Sequence, residues 1–408
     1  MKRNLMMRIM TACLCAVLMI GSAAAENMID LGGEGCDLLY LSGMLPDERI
    51  LLSGTRAVSD NEEEKCARLL CLNEDRTVCW DYLDEAVNNS TIRRAQMLED
   101  GTIGVWYFVL KDDTIVEQSL RFFTQDGKPT GKIINLMTDH DSTILNTTQS
   151  RLLISHEKEQ KDGTKEYWTE LIDWDGKTVA RYDGSLFPGN MLEVEDGLIL
   201  FGESLTKTPL VNEVTKMDPQ GNILWEKKLE NPWRENDVID IYYPVQTEDG
   251  GYLVVLSSCI ARDAFGEDLY KTALAKLDGD GNLLWSSEVE DEYSQWCYNM
   301  TVCNGKTVMM YRKGYTINEP WHFHWFDENG KELGVTEMTP KQEDFERLAE
   351  YTEKLKGEKD INPELLTLYP LPMKDGLWAM AFVGVRDMVE GAVNEETMDE
   401  FLVKIPEL

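Results

Sequence analysis

A turn-and-strand unit recurs down this chain about every 50 residues, a period that few folds accommodate. It reads Met217-Asp218-Pro219-Gln220-Gly221-Asn222-Ile223-Leu224-Trp225 and, later, Leu277-Asp278-Gly279-Asp280-Gly281-Asn282-Leu283-Leu284-Trp285. Weaker copies are Phe326-Asp327-Glu328-Asn329-Gly330, Ile172-Asp173-Trp174-Asp175-Gly176 and Phe123-Thr124-Gln125-Asp126-Gly127. A degenerate copy, Leu72-Asn73-Glu74-Asp75-Arg76, still ends in Trp80 at the matching offset. The chemistry is that of a β-hairpin. An apolar residue closes one strand, Asp or Asn opens the turn by bonding its own backbone, glycine takes the position of positive φ, and an alternating strand follows. Positions 76, 127, 176, 221, 281 and 330 are spaced by 51, 49, 45, 60 and 49 residues. Several strands per period with no helix between them is the signature of a β-propeller.

Each unit is preceded by a second strand signal, at Glu48–Gly54, Gly101–Leu110, Arg151–Ser155, Gly197–Phe201, Gly251–Ser257, Lys306–Tyr311 and Gly376–Val383. Seven inner hairpins stand against six Asp-Gly turns, so the seventh blade ends one strand short. The expectation is a seven-bladed ring in which Asn27–Leu31 pairs with C-terminal strands near 363–372, 377–383 and 400–405, removing exposed sheet edges. Six blades with irregular ends is the alternative. One segment departs from the all-β pattern. Thr339-Pro340-Lys341-Gln342 has the form of a capping box with proline at the first helical position, and Phe345, Leu348, Ala349 and Leu355 follow at helical spacing. This predicts an inserted helix over 340–356, on the ligand face of the ring or as a surface decoration.

The chain begins with Lys2, Arg3 and Arg8, an apolar run from Ile9 to Ile20, and Ala23-Ala24-Ala25 before Glu26. That order predicts a Sec-type signal peptide over 1–25 and an exported propeller domain over 26–408. An N-terminal anchor and a lipoprotein box ending at Cys13 are the alternatives. No later stretch is long and apolar enough to span a bilayer, so no membrane insertion is expected after cleavage. Cleavage removes three cations and no acids, taking the net charge from −34 to −37. Such a field disfavours nucleic acid and anionic lipid, which are bound through Lys and Arg.

Seven cysteines remain after cleavage, and the odd count leaves at least one free or paired between chains. Cys71 and Cys79 sit symmetrically about a turn and are the one pair singled out as a disulfide, against the alternative of buried thiols. In Trp321-His322-Phe323-His324-Trp325 the histidines share one strand face, which suits either a metal with a third ligand such as Glu319 or an ordinary polar strand face. Asp278-x-Asp280-x-Asn282 begins like a calcium loop but lacks the later ligands, and reads as a turn. No metal and no cofactor are expected. Phosphate loops, nucleophile elbows and zincin helices are absent from the sequence.

The Asp-x-x-Gly-x-x-x-Trp units at 218–225 and 278–285 resemble the repeats of quinoprotein-type (PQQ-like, WD40-like) bacterial β-propellers. The resemblance implies the fold and not the quinone, because no two cysteines are adjacent and the Thr-Gly of those repeats is missing. The turns also resemble the Asp-boxes of sialidases, but the Ser-x-Asp-x-Gly-x-x-Trp spacing is not met. The functional expectation is a non-catalytic, monomeric binding protein that recognises a glycan, peptide or partner protein through its loop face. The alternative is a propeller enzyme such as a glycoside hydrolase, lyase or group transferase. The loops offer Trp233, Arg234, Arg262, Phe265, Tyr293, Tyr315 and Trp321 as candidate ligand contacts, since aromatic plates and arginine serve sugar and peptide recognition.

Overall fold

The computed structural model describes residues 28–31, 38–57, 65–111, 114–138, 140–183, 188–203, 212–234, 239–262, 268–289, 297–312, 320–339, 364–386 and 393–408. Within them the chain is all-β, with seven four-stranded antiparallel sheets arranged as the blades of a propeller. The N-terminal strand is β1 (Met28–Asp30). Blade 1 is β2 (Leu38–Met44), β3 (Ile50–Ala57), β4 (Lys65–Leu72) and β5 (Val78–Leu83). Blade 2 is β6 (Ser90–Met97), β7 (Ile103–Lys111), β8 (Thr114–Phe123) and β9 (Pro129–Asn135). Blade 3 is β10 (Asp141–Thr147), β11 (Arg151–Glu159), β12 (Lys165–Asp173) and β13 (Thr178–Asp183). Blade 4 is β14 (Pro188–Val194), β15 (Gly197–Glu203), β16 (Asn212–Met217) and β17 (Ile223–Lys228). Blade 5 is β18 (Asp240–Gln246), β19 (Tyr252–Arg262), β20 (Asp268–Leu277) and β21 (Leu283–Glu288). Blade 6 is β22 (Cys297–Cys303), β23 (Lys306–Arg312), β24 (Trp321–Phe326) and β25 (Glu332–Met338). Blade 7 is β26 (Glu364–Met373), β27 (Gly376–Arg386) and β28 (Val393–Lys404), completed by β1.

That completion is the expected closure. Met28, Ile29 and Asp30 pair with Val403, Leu402 and Phe401, so the first and last strands of the ring share one sheet. Leu31 is buried at the same seam, and its carbonyl accepts from Arg68, whose guanidinium is held by two hydrogen bonds to Asp81 at 3.0 and 2.9 Å. The expected helix over 340–356 lies outside the described residues.

The turns form as their sequence dictates. Gly127, Gly176, Gly221, Gly281 and Gly330 all have φ between 76° and 81°. Asp218 Oδ1 accepts from the N–H of Gln220 and Asn222, and Asp278 Oδ1 accepts likewise from Asp280 and Asn282. The carboxylate of Asp278 is therefore spent on its own turn. The tryptophan that closes the unit packs between blades. A Cβ on Gly281 would stand 2.7 Å from the ring of Trp225, one on Gly330 2.3 Å from Trp285, and one on Gly127 2.5 Å from Trp80. The outer strands of blades 1, 4 and 5 thus lay a tryptophan on the bare glycine of the next blade's turn, Ile134 and Ala180 take that place at Gly176 and Gly221, and the Trp80 indole also donates to the Gln125 carbonyl at 2.9 Å. The core follows the same logic. Seven apolar clusters fill the seven seams, for example Leu51, Leu69, Val105 and Phe123 between blades 1 and 2.

The disulfide expectation is corrected. Cys71 and Cys79 are both free thiols, Cys71 buried and Cys79 exposed. Cys71 faces Trp80 and Leu72 faces Val78, so Cys79 is the extra residue of a β-bulge rather than the partner of Cys71. Burial pushes the Cys71 thiol up to about 12, against the pull of Arg49.

Candidate functional site

First strands of neighbouring blades meet at the hub, as β14 does with β18 and β22 with β26. Every one of these inner strands carries an irregularity in its ladder to the second strand, at Ser42, Arg93, Leu145, Gly189, Tyr243–Pro244, Tyr298 and Leu366. A bulge sets two residues against one, bends the strand and re-aims side chains. In β6 this has a chemical consequence. Ile92 faces Tyr107 and Arg94 faces Trp106, which leaves Arg93 as the extra residue. Neighbours on a regular strand point to opposite faces. The bulge instead lets Arg93 and Arg94 line one cavity.

That cavity has a volume of about 560 Å³ and lies where the inner strands of blades 1, 2, 3 and 7 converge. Its chemistry comes from Arg93 and Arg94, the rings of Tyr40, Tyr369, Trp106 and Phe108, and the hydroxyls of Ser42, Ser142, Thr143 and Thr147; among the described residues no carboxylate lines it. Ile115 also lines it, and this residue is the second of β8, just after the connection from β7. The cavity therefore lies toward the face that carries the connections between second and third strands. Arg94 bridges the seam between blades 2 and 3 by donating to the Leu145 carbonyl at 3.0 Å, an acceptor on the bulged residue of β10. Arg93 stands over the Phe108 ring at 5.6 Å. Arg94 reaches solvent, yet the surrounding protein lowers its pKa, with Tyr369 opposing; burial in turn pushes the Tyr369 phenol up against the pull of Arg94. Phe382 buttresses both tyrosines, with ring centroids 5.6 Å from Tyr40 and 5.4 Å from Tyr369.

A polar cluster adjoins the cavity in blade 3. His156 Nδ1 lies 2.8 Å from Ser142 Oγ and 3.1 Å from His140 Nε2. Its ring stacks on Trp168, and its Nε2 is 3.9 Å from Glu170. Serine, histidine and glutamate in a row suggest an activated nucleophile, but the imidazole is poorly suited. Burial pushes His156 down to about 4, opposed only by Glu170, so it is a weak base for a hydroxyl proton. Its Nδ1 is also shared with a second histidine.

The residues singled out from the loops fare differently. Trp321 is corrected: it opens β24 and is buried in the core between blades 6 and 7 against Tyr298, because the alternation Trp321, Phe323, Trp325 points into that seam. Trp233 and Arg234 lie between blades 4 and 5, away from the cavity. The Trp233 indole donates to Glu288 at 2.9 Å while its ring packs on the core, and Arg234 donates to the Ile260 carbonyl. Arg262 ends β19, in register with Asp268. Phe265, Tyr293 and Tyr315 lie outside the described residues, as does Glu319. His322 and His324 do not share a site. His322 Nδ1 is 3.4 Å from Glu337, and His324 Nδ1 is 3.5 Å from Glu332. Among the described residues no group of three or more histidine, cysteine or acidic side chains is placed to hold a metal.

No protein-family model matches the chain, and a search of curated proteins finds no match. Solved structures do match in fold. The chain is similar to BamB from Moraxella catarrhalis, with 10% identity over 92% of this chain and 98% of that one and a TM-score of 0.40. It is similar to the β-propeller domain of the Trilobed protease from Pyrococcus furiosus, with 10% identity over 85% and 92% and a TM-score of 0.44. An alpha-l-arabinofuranosidase from Fusarium graminearum matches with 11% identity over 76% and 91% and a TM-score of 0.43. Likeness this distant concerns the fold, and it assigns no ligand or reaction to this chain.

Proposed function

We propose that this chain is an exported, non-catalytic binding propeller whose ligand, a glycan, a peptide or a segment of a partner protein, enters the cavity at the blade 1–2–3 side of the channel. One observation carries the reading. A concave site of about 560 Å³ combines two arginines and four aromatic rings with no carboxylate among its described lining residues, in a chain of net charge −34. Its volume lies within the roughly 300–1,000 Å³ usual for ligand sites. Aromatic faces and arginine forks are the groups that recognise sugar rings and peptide carbonyls. The sequence order Lys2 to Ala25 supports export, and the acidic surface supports a soluble monomer. A glycan and peptide array probed with the chain from Glu26 onward, followed by a turnover assay on each hit, tests the reading. Saturable binding without turnover is expected. Turnover of a hit would place the chain among the enzymes instead.

A further inference from the structure

Resting on that reading of the cavity, we infer that it is an oxyanion site, taking a small organic carboxylate, sulfate or phosphate carried on a ring or other apolar body. Three independent features point to an acceptor-rich, negatively charged group. First, the β6 bulge turns two consecutive guanidinium groups onto one cavity, and neither has a carboxylate partner among the described residues. Arginine presents a planar fork of donors that matches such oxyanions, and its charge-assisted hydrogen bonds are the strong ones. Second, Trp106 lines the same cavity opposite Arg94, and its indole N–H is buried without any hydrogen-bond partner. A buried indole N–H ordinarily finds an acceptor, and no described residue supplies one. Third, the bond from Arg94 to the Leu145 carbonyl at 3.0 Å fixes the guanidinium across the seam through a neutral acceptor, which orients its charge without neutralising it.

The remaining lining limits the rest of the ligand. Tyr40, Tyr369 and Phe108, with Leu41, Ile115 and Ile144, offer ring faces and aliphatic surface, so the body beside the anion is flat or apolar. The net charge of −34 limits its size. A polyanion would meet the field of the whole molecule, whereas a small ligand with one anionic group meets the arginines at short range, inside a Debye length of about 8 Å at physiological ionic strength.

Calorimetric titration of the chain from Glu26 onward with phenyl β-glucuronide, phenyl sulfate and phenyl phosphate, with neutral phenyl β-glucoside as the control, tests this. At least one anion should bind about tenfold or more tighter than the glucoside, the discrimination expected of a charge-assisted pair. Arg93→Gln and Arg94→Gln should each weaken that binding by at least about tenfold, and Arg94→Lys should restore part of it. Lys227→Gln, a substitution on the outer strand of blade 4, should leave it unchanged. Circular dichroism and melting temperature establish that each variant is folded. Which anion binds best separates carboxylate from sulfate and phosphate sources. Equal affinity for the glucoside, or affinity untouched by both arginine substitutions, overturns the oxyanion inference while leaving the cavity a binding site. Failure of all four probes at millimolar concentration overturns it too, and an array hit under the same conditions would still uphold the binding propeller.

Discussion

Arg76 occupies the turn position that glycine holds in blades 2 to 6, at φ 67°. The next outer strand behind it, β1, brings no tryptophan to lay against a bare turn. Instead Arg76 reaches back, its guanidinium 4.0 Å from the Trp378 ring centroid and 2.9 Å from Asp375 Oδ2. Arg76→Ala keeps the left-handed strain and loses both contacts, so a loss of about 1–2 kcal/mol is expected in chemical denaturation. Arg76→Gly relieves the strain and should fall within about 1 kcal/mol of the parent. His156 gives a second residue-scale expectation. Its folded pKa of about 4 lies below the ordinary value of 6.5, so between those pH values the unfolded chain binds a proton that the folded one does not. This group's contribution to stability is therefore fully present above about pH 6.5 and is lost as pH falls toward 4, by up to about 3 kcal/mol. In His156→Asn the stability difference between pH 6.5 and pH 4 should shrink by a measurable part of that figure. An unchanged difference would show that the imidazole is not buried as described.

The Asp-x-x-Gly-x-x-x-Trp unit was legible as a hairpin because its chemistry is local: the side chain, the turn and the glycine are neighbours in sequence. Its second role was not legible, because Trp225 meets Gly281 across a seam and nothing local marks that partner. Gly281→Ala adds left-handed strain and places a methyl 2.7 Å from the Trp225 ring. Together these are expected to cost about 2–4 kcal/mol, with a sub-additive double mutant when Trp225→Ala opens the space. Additivity in that cycle would remove the proposed contact. The cavity was hidden for a related reason. Arg93 and Arg94 stand together in the middle of β6, and regular alternation cannot place two neighbours on one face without a bulge. Two adjacent cations breaking the alternation were the available signal. Trp321 misled in the opposite way, since its polar upstream sequence read as loop while its own alternation with Phe323 and Trp325 belonged to a strand.

At the scale of the molecule, the count of seven inner hairpins against six Asp-Gly turns was enough to place the N-terminal strand in the last blade. The register Met28 to Val403 and Asp30 to Phe401 then latches segments from opposite ends of the chain. Removing Glu26 to Leu31 takes away that ladder, the Arg68 contact to the Leu31 carbonyl and the burial of Leu31. A single cooperative unfolding transition, less stable by about 2–5 kcal/mol, is expected. Unaltered stability would mean that the ring is not closed by this strand. What the sequence could not supply was which sector of the ring carries the cavity, because Trp233, Arg234 and Arg262, among the loop residues it favoured, lie around blades 4 and 5 whereas the cavity is framed by blades 1, 2, 3 and 7. Hydrogen exchange read by mass spectrometry, with and without a saturating array hit, decides between those sectors. The account predicts new protection in β2, β6 and β10 and none around residues 229–234, whereas protection confined to blades 4 and 5 would contradict it.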